Sequence, residues 1–400
     1  MHLGKEYRRC PDVLIDLTPL DTPSRFRGIG RYVAGLASGL AELTEKAGAG
    51  LRVEGMVRTG LGFRPLTDPT LRYPGNPELR PSEWQYWRYK IARRLWMGTL
   101  AAGTGARLLH LTDPIGTPFD PRVPRILTCH DLIPLVLHRE YLGPLPGARS
   151  ARLVRDFVRY RSAYRLIAIS EATQRDLVDR LGVDPARVDV VYHGLDHARF
   201  NRSGEVGEAG RVRSAIGVKD PFLLYVGAGD RRKRLSLLIR AYARSGRTRE
   251  AALVIAGKQT PHQRKQLMQE ARRAGVAKRV IFPGFVEDGL IPALYRTCLG
   301  YVFPSVYEGF GLPVLEALGC GAPTVTTLET SLAEVAGDAA LGVPADDADA
   351  LAEALRRLID DSALRSELSN RGPVRARDFT WRRCAAETLN CYRAALEGHD

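Results

Sequence analysis

Pro304-Ser305-Val306-Tyr307-Glu308-Gly309-Phe310-Gly311-Leu312-Pro313-Val314-Leu315-Glu316-Ala317 is the stretch from which the rest of this chain is read. Ahead of it, Leu299-Gly300-Tyr301-Val302-Phe303 is short and apolar, the pattern of a buried strand. Behind it, Pro313 suits a first helical position, where its fixed φ fits and its missing N–H costs nothing. Gly319, Gly321 and Pro323 then stop a short helix. Glu308 is thus expected in a strand-to-helix loop, and Glu316 one turn into the helix. Gly309 and Gly311 bracket Phe310 and let backbone come close to a ligand. Amides at a helix start attract anions. Two carboxylates beside such a backbone point to a polyhydroxy group joined to phosphate. A lone glutamate pair eight apart is better explained by solvated surface; the whole string and its flanking elements favour a site.

Composition sets the frame. At 400 residues the chain exceeds one ordinary domain, so two are expected. Apolar content of 44% and charged content of 26% are those of a soluble globular protein. Lys+Arg of 59 against Asp+Glu of 45 leaves +14, which favours anionic partners: phosphorylated small molecules, an acidic lipid surface or nucleic acid. The six cysteines (Cys10, Cys129, Cys298, Cys320, Cys384 and Cys391) form no Cys-x-x-Cys pair, and isolated reduced thiols fit a cytoplasmic location. Met1 to Cys10 lack the apolar centre of a signal peptide. No apolar run is long enough to span a bilayer. Arginine in excess of lysine, with abundant Ala and Gly, suggests a bacterial source.

The first half alternates strand and helix. Val13–Leu17 reads as a strand, followed by the loop Arg27-Gly28-Ile29-Gly30-Arg31-Tyr32 and then Val33, Leu36 and Leu40 at helical spacing. By itself a Gly-x-Gly is only a tight turn. Val53–Val57 is a strand, with a long loop expected after it within 52–82. Segment 84–96 interleaves aromatic and basic residues. It is either a basic amphipathic helix at a membrane surface, or a helix with aromatics in the core and arginines in water, the reading preferred. Arg107–Leu111 and Arg125–Cys129 are further strands. His130 follows the second, at a strand's carboxyl end, where ligands sit in open α/β sheets; a satisfied buried histidine fits equally well. Helix 150–164 places Leu153, Phe157, Tyr160 and Tyr164 on one face and Arg152, Arg155 and Arg159 on another. Leu166–Ile169 and Val188–Tyr192 are strands, with Ser170 capping a helix and His193 assigned to a hinge. Residues 198–217, rich in Gly, Glu and Arg, are taken as a linker.

The second half repeats the alternation. Strand Phe222–Val226 leads into Gly227-Ala228-Gly229-Asp230-Arg231-Arg232-Lys233-Arg234 and a helical run Leu237–Ala243. Clustered cations in a strand-to-helix loop suggest an anion site, with a flexible basic loop as the plain alternative. Ala252–Ala256 with Gly257 and Lys258, and Val280–Gly284 with Phe285 and Val286, are the next strand and turn pairs. Val325–Thr327, helix 348–360 and a last helix 381–396 follow. No Asp-x-Asp or His/Cys constellation suggests a metal bridging a diphosphate.

Taken together, these strings resemble family 4 of the retaining GT-B glycosyltransferases (group 1), whose Glu-x7-Glu motif is similar to Glu308 through Glu316. The matches continue in Gly28-Ile29-Gly30-Arg31-Tyr32, His130-Asp131-Leu132-Ile133-Pro134, His193-Gly194-Leu195-Asp196 and the Arg232-Lys233 loop. Departures are Arg27 before Gly28, Ala228 and Arg234 in the basic loop, and Ala333 where the family carries proline. The resemblance implies an α/β fold of two doubly wound Rossmann-like domains facing across a cleft. The acceptor-side domain would be 1–197, with helix 381–400 packing back on it, and the nucleotide-sugar domain 218–380. It implies metal-independent, retaining transfer of a hexose from a nucleoside-diphosphate sugar to a glycan, lipid-linked or small-molecule acceptor, in polysaccharide biosynthesis. No cofactor is implied. Glu308 and His130 would serve the transferred sugar, Arg232 and Lys233 the diphosphate, and Glu316 the ribose. Gly28, Gly30, Gly227, Gly257, Lys258, Phe285, Val286, Gly309, Phe310, Gly311 and Leu312 would line the donor. The strings lean toward GDP-mannose users, with UDP-sugars next and dTDP-sugars behind. An epimerase or sugar phosphorylase can share the fold. A nucleic-acid binder would explain the charge, but no module for one is present and no nucleic acid is expected. Segment 84–96 and helix 150–164 make peripheral contact with the inner face of an anionic plasma membrane an expectation to test. The oligomeric state is not readable.

Overall fold

Runs such as Val13-Leu14-Ile15 and Phe222-Leu223-Leu224-Tyr225 are apolar on both faces, the mark of strands covered by helices on either side. In the computed structural model, which describes residues 10–47, 50–59, 62–66, 68, 70–75, 83–118, 122–142 and 146–398, they build two sheets. The first holds β1 (Val13–Asp16), β2 (Val53–Thr59), β3 (Gly62–Leu66), β4 (Leu108–Leu111), β5 (Arg125–Cys129), β6 (Arg165–Ala168) and β7 (Val188–Val190). Their order is β3-β2-β1-β4-β5-β6-β7. Val13 pairs with Val53 on one side and Leu108 on the other, both parallel; only β3 is antiparallel, against β2. The second sheet is parallel throughout. It comprises β8 (Phe222–Val226), β9 (Ala252–Ala256), β10 (Val280–Gly284), β11 (Gly300–Phe303), β12 (Thr324–Thr327) and β13 (Leu341–Val343), ordered β10-β9-β8-β11-β12-β13.

Each sheet centres a compact unit. The first takes the described residues of Met1–Gly194 and Trp381–Asp400; the second is Leu195–Thr380. The return helix Trp381–Glu397 lies against the helix Gly28–Ala47. Glycine permits the close approach: a Cβ on Gly35 would come within 2.2 Å of the Trp381 ring, and one on Gly39 within 2.5 Å of the Trp381 carbonyl oxygen. A buried polar chain locks the pair onto the sheet. Tyr392 Oη bonds His110 Nδ1 at 2.6 Å, His110 Nε2 bonds Thr128 at 2.8 Å, and Thr128 bonds the Tyr32 hydroxyl at 2.9 Å. Burial, and secondarily the charge of His130, hold His110 down to about 3, so it serves as a neutral linker.

Four expectations need correction. The stretch taken as linker, 198–217, contains the helix Glu208–Ile216, which belongs to the second unit. Val212 and Ile216 bury one face of it, and Glu208 takes a bidentate pair from Arg296, features that Gly-rich flanks conceal. The loop expected after β2 holds β3, which buries only Phe63, too little alternation to stand out. Segment 84–96 lies in the helix Glu83–Gly103, whose exposure departs in part from that preferred, since Tyr89 is in the core and Arg88 in water but other positions are inverted. Trp87, Ile91, Leu95 and Trp96 are half or more exposed, whereas Arg93 is fully buried with Tyr89 and Met97. In the helix Pro146–Arg161, Leu153 and Phe157 are exposed while Asp156 and Tyr160 are buried. Arg152, Arg155 and Arg159 all gather on Asp156, so a charge cluster decides which way that helix faces. None of the described helices is long and apolar enough to cross a membrane. All six cysteines are free.

Candidate functional site

In the second sheet the winding reverses between β8 and β11: β9 and β10 extend one way from β8, β12 and β13 the other way from β11. Such a switch point leaves a crevice outside the strands' carboxyl ends, the usual ligand position in open parallel sheets. The residues singled out in this unit follow those ends. Gly227, Arg232 and Lys233 come after β8, Gly257 and Lys258 after β9, Phe285 and Val286 after β10, and Glu308 to Leu312 after β11. The strand ends are drawn close together. The Gly227 amide donates to the Ala256 carbonyl at 3.0 Å and the Gly257 amide to the Gly284 carbonyl at 2.8 Å. At Gly257 (φ 123°) any Cβ would lie 2.1 Å from the Gly227 carbonyl oxygen, so only glycine fits.

Glu308 is the centre of this arrangement. It is buried, and Arg232 Nη1, Lys233 Nζ and Ser305 Oγ all donate to the same carboxylate oxygen, Oε1. The lysine and serine distances are 2.5 and 2.6 Å. Oε2 receives no hydrogen bond among the described residues. Neighbouring backbone fixes the group: Ser331 Oγ donates to the Glu308 carbonyl at 2.8 Å, Arg232 Nη1 to the Tyr307 carbonyl at 3.1 Å, and the Val306 amide to the Arg232 carbonyl at 3.0 Å. Burial alone would raise the Glu308 pKa, but the charges of Lys233 and Arg232 overcome it and hold the carboxyl below its usual range. Lys233 is pushed down to about 8, first by burial and then by Arg232, against the pull of Glu308. Its ammonium also stands 4.3 Å from the Phe303 ring centroid.

Clustered cations had suggested an external anion, yet the protein supplies anions of its own. Arg232 and Lys233 share Glu308, and Arg234 is bound by Asp346 at 2.7 and 3.1 Å. What remains at the switch point is a triad of net charge +1 with one carboxylate oxygen open. Glu316 is buried on the helix Leu312–Gly319, its Oε2 3.5 Å from the Tyr295 hydroxyl. Phe310 is committed to packing, edge-on to Phe379 at 5.8 Å between centroids. Phe285 and Lys258 are exposed.

Two polar groups here were not legible in the sequence. Thr330 follows β12 with φ 59° and ψ −147°, a region costly for any residue with a Cβ. Its hydroxyl and the Gln259 Nε2 beyond β9 are buried without a hydrogen-bond partner among the described residues. Such groups carry a desolvation cost unless something completes them. No local motif announces either; only the backbone path does.

In the first unit, His130 sits one residue past β5, buried, with Nε2 bonded to the Thr112 carbonyl at 2.7 Å. It meets Tyr32 edge-on at 5.2 Å, and His193 stacks on Tyr32 at 4.8 Å. Burial, with His130's charge second, keeps His193 neutral well below its ordinary value. Gly28 and Gly30 form the first turn of the helix Gly28–Ala47 and not a loop ahead of it. A Cβ on Gly30 would lie 2.3 Å from the Arg25 Cα, which accounts for that glycine by packing. Sequence reading missed the Asp16–Arg93 ion pair at this sheet's own switch point, between β1 and β4. Thr18 supports Asp16 at 2.6 Å, and Arg93 Nη2 donates to the Asp113 carbonyl at 2.8 Å. Among the described residues no three His, Cys, Asp or Glu side chains are grouped as metal ligands.

Comparison with known proteins fits this geometry. Residues 208–375 match the family model of glycosyl transferases group 1, and residues 26–199 that of glycosyltransferase family 4. The chain is 31% identical over 288 residues to the serotype-specific mannosyltransferase WbdA of Escherichia coli, covering 68% of this chain and 33% of that protein. It is 33% identical over 293 residues to the D-inositol 3-phosphate glycosyltransferase of Salinispora tropica, covering 69% and 60%. The chain thus spans between a third and three fifths of these relatives. In fold it is similar to the sucrose-phosphate synthase of Thermosynechococcus elongatus, with a TM-score of 0.72 at 22% identity over 98% of this chain and 100% of that one. Two parallel-dominated sheets with helices, and two family models that together span most of the sequence, lead to one conclusion: the chain belongs to the group 1, family 4 glycosyltransferases of GT-B fold.

Proposed function

We propose that this protein transfers a hexose from a nucleoside-diphosphate sugar to an acceptor hydroxyl, with retention at the anomeric carbon and without a metal. The observation that carries the reading is the convergence of Arg232, Lys233 and Ser305 on Glu308 Oε1, which leaves Oε2 open beside two cations. Oε2 accepts from a sugar hydroxyl. Arg232 and Lys233 take the diphosphate, whose charge grows as the anomeric C–O bond breaks, so their contribution rises toward the transition state. The new bond joins the acceptor oxygen to the anomeric carbon, and the acceptor proton leaves on a diphosphate oxygen. Neither glutamate then acts as a nucleophile. Glu316 holds the ribose. The unpartnered Gln259 and Thr330 side chains are available to complete the donor's polar contacts. Mannose is the sugar favoured, through the mannosyltransferase name of WbdA, with a glycan or lipid-linked acceptor.

The test is a melting-shift screen with GDP, UDP, dTDP and their hexose conjugates, followed by product analysis in excess chelator. One nucleotide class should stabilise the second unit, and transfer should persist with the product α-linked from an α-linked donor. No stabilisation by any nucleoside diphosphate, or activity abolished by chelator and restored by Mg²⁺ or Mn²⁺, would overturn the reading.

A further inference from the structure

A cavity of about 360 Å³ lies within the first unit, bounded by the helices Glu83–Gly103 and Pro146–Arg161 and by the segments after β4 and β5. Lys90 and Arg94 line it from the first helix, and Arg152, Arg155 and Arg159 from the second. His130 contributes to its wall. Asp113 and Asp131 also line it, and Asp156 lies buried beside the three arginines. Among the described residues, five cations thus outnumber three carboxylates around a small space.

That excess is not idle surface charge. Lys90 has no carboxylate at ion-pairing distance among the described residues; its ammonium stands 4.3 Å from the Tyr86 ring and 4.9 Å from the Trp87 ring. Arg155 reaches Asp156 only at 3.7 Å, because Arg152 and Arg159 occupy that carboxylate more closely. Burial first lowers the pKa of both Lys90 and Arg155: for Lys90 the charge of Asp113 opposes it, with Arg155 and Arg94 adding to it, and for Arg155 the charges of Arg152 and Arg159 add to it against Asp156. A bound anion would relieve that crowding, and phosphate oxygens match arginine's forked donors. Trp87 and Ile91 form an exposed apolar rim at the same cavity, and Leu95, Trp96, Val154 and Val158 are further exposed apolar residues of the same two helices.

We infer that this cavity binds a phosphate or diphosphate group of the acceptor, gripped by Lys90 and Arg155 with Arg94, Arg152 and Arg159 around them. The inference rests on the transferase reading above for the word acceptor, but its binding chemistry is independent of the donor site. Two sources share that chemistry: a soluble phosphorylated acceptor, and a lipid-linked one whose hydrocarbon lies on the apolar rim.

The experiment is calorimetric titration of the whole chain with inorganic pyrophosphate while GDP or UDP saturates the nucleotide site. One further equivalent should bind. The double variant Lys90→Gln/Arg155→Gln should weaken it about tenfold or more, and Arg155→Lys should retain most of it, since charge is kept. Nucleoside-diphosphate affinity should be the same in all three proteins, which also shows that the variants fold. Dodecyl phosphate below its micellar concentration, compared with glycerol 3-phosphate, separates the sources. Tighter dodecyl phosphate supports the lipid-linked acceptor, and equal binding the soluble one. Absence of the second pyrophosphate equivalent, or its equal binding by the double variant, would overturn the inference. Failure of any nucleotide to bind, with pyrophosphate still lost in the double variant, would instead refute only the donor assignment.

Discussion

Replacing Glu308 by Gln probes the switch-point triad at its centre. The substitution keeps shape and leaves a carbonyl oxygen able to accept from Arg232, Lys233 and Ser305. It removes the negative charge and turns the open Oε2 acceptor into a donor. Both cations then lose their nearest counter-charge, with only the partly exposed Asp230 left at 3.9 Å from Arg232, a loss of about 3 kcal/mol at the low end of what breaking a buried pair costs. For a unit of the size of Leu195–Thr380 this corresponds to a fall of roughly 6–12 °C in its melting transition. The cost depends on pH. Wild-type Lys233 loses its proton near 8, and in the variant it does so lower, while the unfolded chain keeps it in both. Between those two values the variant gains about 1.4 kcal/mol of stability per pH unit that wild type does not. The deficit should therefore be largest near pH 6 and shrink toward pH 8. Free nucleoside diphosphate should bind no more weakly, since the triad's net charge rises from +1 to +2. Turnover should fall about 10²–10³-fold, as for loss of one preorganised polar contact. Differential scanning fluorimetry at pH 6 and 8, calorimetry with the nucleotide, and initial rates give all three numbers. A melting shift under about 2 °C at pH 6 would mean Glu308 does not hold the cations. A nucleotide affinity that collapses with the glutamate would mean it serves the diphosphate and not the sugar.

Nucleoside-diphosphate affinity in wild type should decline as pH rises through about 8, where free Lys233 loses its charge; Lys233→Arg should flatten that decline in a calorimetric series, and an unchanged profile would remove Lys233 from the contact. Arg232→Ala should weaken nucleoside-diphosphate binding about tenfold, the loss of one charge-assisted bond, and undiminished affinity would refute its role. Arg93→Met strands the Asp16 carboxylate in the core and should cost about 3–5 kcal/mol, with Asp16→Leu/Arg93→Met recovering most of it, as read by denaturant unfolding of the first unit. Gly35→Leu drives a side chain into the Trp381 ring and should lower the first unit's melting point by an overpacking penalty of about 1–3 kcal/mol; no shift would show the return helix is not held there.

Much of the second unit was legible because its signals are local. Phe222–Val226 and Ala252–Ala256 are the strands that apolar runs announce, and Glu308 and Glu316 lie as the Pro and Gly punctuation places them, in a loop and one turn into a helix. Local pattern also located the turns after β8, β9 and β11, since a parallel sheet requires its loops to alternate between ends. It could not show that Arg232, Lys233 and Ser305 share one oxygen of Glu308. Seventy-odd residues separate the two cations from that glutamate in sequence, and only the β8–β11 pairing brings them together. Nor could it orient the helices Glu83–Gly103 and Pro146–Arg161. Apolar periodicity predicts which face is buried only when hydrophobic burial outweighs charge pairing. Here Arg93 finds Asp16, and three arginines find Asp156, so buried charge pairs select the inward faces and leave tryptophan and phenylalanine outside. Residue 330 shows the same division. Its identity suggests nothing, and its strain exists only because tertiary packing fixes the path after β12.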